Sequence, residues 1–139
     1  GIARRKIKRA IMETLSKANI TTDYGLEGDF RGKPGPRQLS VLTKEGWNSA
    51  CDELSIDHDW TTRRANLLIK GLDLKNSIGC RLFIGNIILE ITDELDPCSR
   101  MEEQVKGLEK ALTDEWRGGV LCRVISGGTI SIDDKITIK

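Results

Sequence analysis

Short runs of β-branched and aliphatic residues, cut off by glycine or by paired polar residues, recur along the chain at residues 37–42, 65–69, 80–84, 87–92, 119–125 and 129–132. Each has the length and composition of a strand bounded by turn signals. Gly85-Asn86 is spaced as the two-residue turn of a hairpin between the third and fourth runs. Gly127-Gly128 reads the same way between Val124-Ile125 and Thr129-Ile130, and Asp133-Asp134 separates the alternating runs ISI and ITI. This many short strands predicts a mainly β fold, a small barrel or sandwich.

Two helices interrupt the strands. Thr43 is placed to cap the first, with Trp47, Ala50, Cys51 and Leu54 at the i, i+3, i+4, i+7 positions of one apolar face. Cys51 on that stripe reads as inert core. The second begins around Ser99, where Ser99-Arg100-Met101-Glu102 has the Ser-x-x-Glu spacing of a capping box. Met101, Val105, Leu108 and Leu112 supply its buried side, and Gly107 is positioned to break it in two.

Composition narrows the function. With 139 residues, 38% of them apolar, the chain has the material for one domain with one core, taken as residues 1–139. Lys and Arg number 22 against 21 Asp and Glu, and aromatic residues make up 4%. Near-neutral charge and few stacking side chains weigh against a nucleic-acid partner. No apolar run approaches the roughly 18 residues that span a bilayer, so no membrane association is expected.

Four cysteines, at positions 51, 80, 98 and 122, contain no C-x-x-C pair, which disfavours a zinc or thioredoxin-like site. They are read as reduced thiols of a cytoplasmic protein. The single histidine, His58, lies between two aspartates in a polar stretch and reads as a solvated loop residue, so any chemistry must run without histidine. Residues 1–22 carry six cations against Glu13 alone. A strand edge protected by cationic side chains is the favoured reading, and an arm contacting phosphates is the alternative.

The most informative stretch is Asp96-Pro97-Cys98-Ser99-Arg100-Met101-Glu102. Pro97 ends a strand and Ser99 opens a helix, so Cys98 falls at a helix N-terminus, where free N–H groups favour a thiolate. Cys98 is thus a candidate nucleophile, persulfide carrier or soft-metal ligand, the alternative being a cysteine merely buried at a strand–helix junction. Gly25–Gly32 packs glycines and charges into a loop whose amides could approach an anion, or which is simply a tight connection. Thr61-Thr62-Arg63-Arg64-Ala65-Asn66 has the composition of an oxyanion site and equally of a solvent-facing turn. Arg117-Gly118-Gly119 and Arg123 repeat the theme.

Taken in order, GLEGDFRG, GPRQLSVL, TTRRANLLIKGLDL, IGCRLFIGNIILEIT, DPCSRMEE and WRGGVLCRVISGGTISIDD resemble the MOSC domain, the module named for the C-terminal region of molybdenum cofactor sulfurases. The resemblance runs from about Ala10 onward. It implies a closed, largely antiparallel β-barrel with a few peripheral helices. It further implies binding of the molybdenum cofactor (molybdopterin) or handling of its sulfur, with Cys98 as sulfur carrier or molybdenum ligand. Relatives reduce N–O bonds of N-hydroxylated compounds with electrons from a partner, so a protein sulfur or electron donor is implied. Arg31, Arg63, Arg64 and Asn66 are then candidates for the phosphate and pterin, with Arg100 and Arg123 near the cysteine. A simpler alternative is a non-catalytic barrel that binds an anionic pterin or another phosphorylated ligand. The chain leaves no room for the desulfurase domain of the eponymous enzymes, so pyridoxal phosphate is not expected. The histidine- and glycine-rich segment of many longer members is replaced by GPRQLSVL.

Overall fold

The computed structural model describes residues 1–139 and is mainly β. In chain order the strands are β1 (Ile2–Arg4), β2 (Glu13–Leu15), β3 (Lys17–Thr21), β4 (Gly25–Leu26), β5 (Leu39–Thr43), β6 (Leu67–Ile69), β7 (Arg81–Ile84), β8 (Ile87–Glu94), β9 (Val120–Ser126), β10 (Gly128–Ser131) and β11 (Thr137–Ile138). The helices are α1 (Lys44–Leu54), α2 (Ser99–Gln104) and α3 (Leu108–Thr113), and Trp60–Arg63 forms a 3₁₀ turn. No helix is long and apolar enough to cross a membrane.

Eight strands make one sheet in the order β11-β7-β8-β9-β5-β6-β1-β2, and β10-β3-β4 make a second. Every pairing is antiparallel except β5 with β6. That exception follows from α1, which lies between these two strands and serves as their crossover. The Gly85-Asn86 hairpin pairs Ile84 with Ile87, as its two-residue turn predicts.

The sheet does not close. Its edges, β11 and β2, pair with no common partner, which corrects the expectation of a closed barrel. The physical cause lies in β10. It does not fold back on β9 across Gly127-Gly128 but pairs with β3, Ile130 opposite Ala18. The ITI run likewise leaves β10 and pairs with β7 as β11, Thr137 opposite Phe83. The small sheet then supplies Ile20, Leu26 and Ile130 to the same core as Val41, Leu82, Leu89, Ile91 and Val120 of the large one. Layering buries what closure would otherwise bury.

Alternation along β5 divides two cores. Val41 faces the core between the sheets, while Leu42 joins Trp47, Ala50, Cys51, Met101, Leu108 and Leu112 beneath the helices. The Thr43 side chain accepts from Gly46 N–H at 3.0 Å and caps α1 as its sequence requires. The second helical segment departs from its signal. Cys98, not Ser99, holds the N-cap position and makes no side-chain cap, so the capping box does not form. The Glu102 carboxylate instead accepts from Gly107 N–H at 2.8 Å, at the break between α2 and α3.

Candidate functional site

The C-terminal end of β8 leads through Leu95, Asp96 and Pro97 to Cys98, which is exposed at the mouth of a cleft of about 220 Å³. Six arginines line the cleft: Arg5, Arg31, Arg37, Arg63, Arg64 and Arg100. They face two carboxylates, Asp29 and Asp96, and the walls are completed by Ser40, Asn66, Met12, Leu95, Met101 and Leu121. No three His, Cys, Asp or Glu side chains converge anywhere to hold a metal, and Cys98 is the one thiol in the cleft.

Arg63 is only 6% exposed. It donates through Nε to the Gly118 carbonyl at 3.0 Å and through Nη2 to the Leu95 carbonyl at 2.7 Å, leaving Nη1 without a partner in the chain. Burial pushes its guanidinium down to about 10, against the opposing pull of Cys98 and Asp96. It remains a cation at neutral pH, and a desolvated one, which is the state in which a cation gains most from a bound anion.

Arg64 follows with a left-handed backbone, φ 66°. Its Nη2 donates to the Ala10 carbonyl, and its buried Nε has no acceptor. A buried donor left unmatched costs about 1–3 kcal/mol, so an acceptor reaching it would be favoured. Burial and the neighbouring Arg100 both pull the Arg64 guanidinium below its ordinary range. Arg5 is displaced the same way by burial, then by Arg64 and Arg31, with Asp29 opposing.

Each ion pair of the protein lies elsewhere. Arg4 pairs with Glu13, Lys75 with Glu115, Arg117 with Glu53 and Arg123 with Glu90, and no cleft arginine takes part. Positive charge therefore accumulates around Cys98, six guanidiniums against two carboxylates, although the chain as a whole is nearly neutral.

Of the residues singled out from sequence, Cys98, Arg31, Arg63, Arg64, Asn66 and Arg100 meet in this cleft. Asn66 has structural work there. Its Oδ1 accepts from the Ser40 N–H and hydroxyl, and its Nδ2 donates to the Ala3 carbonyl. Arg123 lies outside, exposed on β9 and 3.7 Å from Glu90 on β8. No glycine of the Gly25–Gly32 loop lines the cleft. The N–H groups of Glu27, Asp29, Phe30 and Arg31 are all satisfied within the fold. What the loop contributes is Asp29, whose carboxylate holds the backbone of both Arg5 and Arg31.

Arg5 and Arg37 were not identified from sequence. Arg5 belongs to the cationic N-terminal run, but it is 8% exposed and turned into the cleft rather than guarding an edge. The signal was present in that run, where the side chains of Arg4 and Arg5 leave a strand in opposite directions. Arg37 precedes β5 and carried no local signal.

No curated protein matches the sequence. Among solved structures, the YuaD protein from Bacillus subtilis superposes with a TM-score of 0.83 at 19% identity, over 99% of this chain and 92% of that one. YiiM from Geobacillus stearothermophilus gives 0.79 at 15%, over 99% and 72%. YiiM from Escherichia coli gives 0.72 at 21%, over 96% and 66%. At such identities the likeness is one of fold. The family model for the MOSC domain matches residues 27–137, which takes in β5 through β10, the start of β11 and the loop bearing Cys98. The chain belongs to the MOSC domain family.

Proposed function

We propose that the cleft binds the molybdenum cofactor, with the pterin phosphate among Arg31, Arg63 and Arg64 and the Cys98 sulfur as ligand to the metal. The observation that carries this reading is the excess of positive charge: six arginines, none in an ion pair, against two carboxylates around one exposed thiol. The residues fit the group. The orphaned Nε of Arg64 and the free Nη1 of Arg63 suit phosphate oxygens, and a lone cysteine is a soft donor suited to molybdenum. When bound, the metal centre supplies two-electron reduction of N–O bonds, with electrons delivered by a protein partner. The chain's own side chains bind and orient. Arg63 is fixed by two carbonyls, Asp29 steadies Arg5 and Arg31, and Leu95, Met101 and Leu121 keep water off one wall.

A sulfur-carrier role is the second reading, favoured by the exposure of Cys98, which leaves the thiol open to a partner that donates sulfur. The deciding measurement is molybdenum content by elemental analysis of the wild type and of Cys98→Ser, both made in cells that produce the cofactor. Metal in the wild type and little in the variant supports the cofactor reading. Equal metal in both removes Cys98 as ligand. No metal in either, with a persulfide on Cys98 by mass spectrometry, moves the function to sulfur transfer.

A further inference from the structure

Beside the cleft lies a second, more open recess lined by Arg9, Arg64, Ser99, Arg100, Glu103 and Gln104, with no apolar side chain. We infer that Arg9, Arg64 and Arg100 form a second oxyanion seat, continuous with the cleft, so that the bound ligands present two anionic groups rather than one. This deepens the cofactor reading and rests on it for the identity of the first anion.

The recess and the cleft share Arg64 and Arg100. A single phosphate beside Arg63 leaves the outer side of both guanidiniums, and the whole of Arg9, without a counter-charge. None of the three forms an ion pair, and the side chains of Arg9 and Arg100 make no hydrogen bond in the chain. Glu103 is the only carboxylate in the recess, and it lies beyond ion-pair distance of all three arginines. Arg9 and Arg64 both carry left-handed backbone, φ 65° and 66°, a conformation uncommon for residues other than glycine and asparagine. The fold thus gathers three like charges around one recess with no carboxylate at ion-pair distance, an arrangement that favours a bound anion. The Ser99 hydroxyl and the Gln104 amide add donors and suit an oxyanion better than a halide. The second anionic group has two sources of equal chemistry: a diphosphate-bearing form of the cofactor, or an acidic substituent of the substrate.

The test is calorimetric titration of the metal-free full chain with inorganic phosphate and with pyrophosphate at low salt. Pyrophosphate is expected to bind at least about tenfold more tightly, because it spans both seats. Arg9→Asn, a residue that tolerates left-handed backbone, is expected to erase that gain and to remove phosphate binding at the outer seat while the site beside Arg63 keeps its phosphate. Lys8→Asn, outside the recess, controls for general attraction. A wild type without the gain, a gain that survives Arg9→Asn, or one lost equally in Lys8→Asn overturns the seat. On cofactor-loaded protein, a phosphorus-to-molybdenum ratio near two assigns the second anion to the cofactor. A ratio near one, with the pyrophosphate gain intact, assigns it to the substrate. An Arg9-dependent gain in a protein that carries no molybdenum even when made in cofactor-producing cells would leave the seat standing and the cofactor reading fallen, and molybdenum-bearing protein whose metal-free form shows no gain would do the reverse.

Discussion

Arg63 and Gly118 lie 55 positions apart in sequence, yet the Nε of one meets the carbonyl of the other at 3.0 Å. The most buried cation of the cleft is therefore anchored by backbone at the entry to β9, not by its own segment. Gly118 must be glycine for this to hold. A Cβ there would stand 2.6 Å from the Leu95 carbonyl and 3.3 Å from Arg63 Nη2, so the two oxygens that hold the guanidinium could not both keep their places. Gly118→Ala is expected to cost about 1–3 kcal/mol of stability, read by urea denaturation. It should also lower phosphate affinity, because Arg63 no longer presents Nη1 from a fixed position. Stability and phosphate affinity both at wild-type values would dissolve this link.

Asn66 separates structural from binding roles. Replacing it with Ala removes the acceptor of Ser40 and the donor to Ala3, leaving buried polar groups on β5 and beside β1 without partners. The expected loss is about 2–3 kcal/mol in chemical denaturation, with phosphate binding by the folded fraction unchanged. Unchanged stability with lost phosphate affinity would instead make the amide a ligand group.

Local patterns were legible and long-range pairings were not. The Ile84–Ile87 hairpin, the Thr43 cap and the Gly107 break each depend on residues a few positions apart, and each formed where the sequence put it. Gly127-Gly128 gave the same local signal as a hairpin turn, but Ile130 is buried by pairing β10 with β3, more than a hundred residues away, and no turn dipeptide encodes that choice. The same holds for the cleft. Cys98 and Arg63-Arg64 stood out because proline, glycine and helix signals surround them. Arg5 looked like any cation on an edge strand until Asp29, from a loop 24 positions on, fixed its backbone and Phe30 took its guanidinium at 5.8 Å. Arg123 has the same composition signal as Arg100 but the opposite placement, because strand alternation with buried Cys122 and Val124 turns it outward toward Glu90.

Thiol chemistry should single out Cys98. It is exposed, whereas Cys51 and Cys122 are buried, and burial pushes the Cys122 thiol up to about 12. A brief pulse of iodoacetamide near neutral pH, followed by peptide mass spectrometry, is expected to modify Cys98 first and Cys122 only in denaturant. Pyrophosphate should slow the Cys98 reaction by occupying the cleft beside it. Labelling of Cys122 in native protein at the rate of Cys98 would contradict the closed core between the sheets.

The acidic end of β8 sets a pH dependence of the opposite character to the cleft. Glu94 is held above the usual carboxylate range by burial first, then by Asp96 and Asp93, and by a hydrogen bond with Asp96. A carboxyl whose proton affinity is raised on folding penalises the native state where both folded and unfolded forms are ionised. That penalty vanishes as pH falls below the unfolded value, where both are protonated. Stability linked to Glu94 is therefore lost as pH rises through the carboxylate range and its raised folded value. Glu94→Gln removes the ionisable group while keeping the shape. It is expected to raise the melting temperature near pH 7 and to leave it unchanged near pH 4, below the unfolded carboxyl value of about 4.3. Melting curves of the two proteins across that range check the sign directly. A fall in melting temperature near pH 7 that disappears near pH 4 would mean instead that Glu94 is stabilised as a carboxylate.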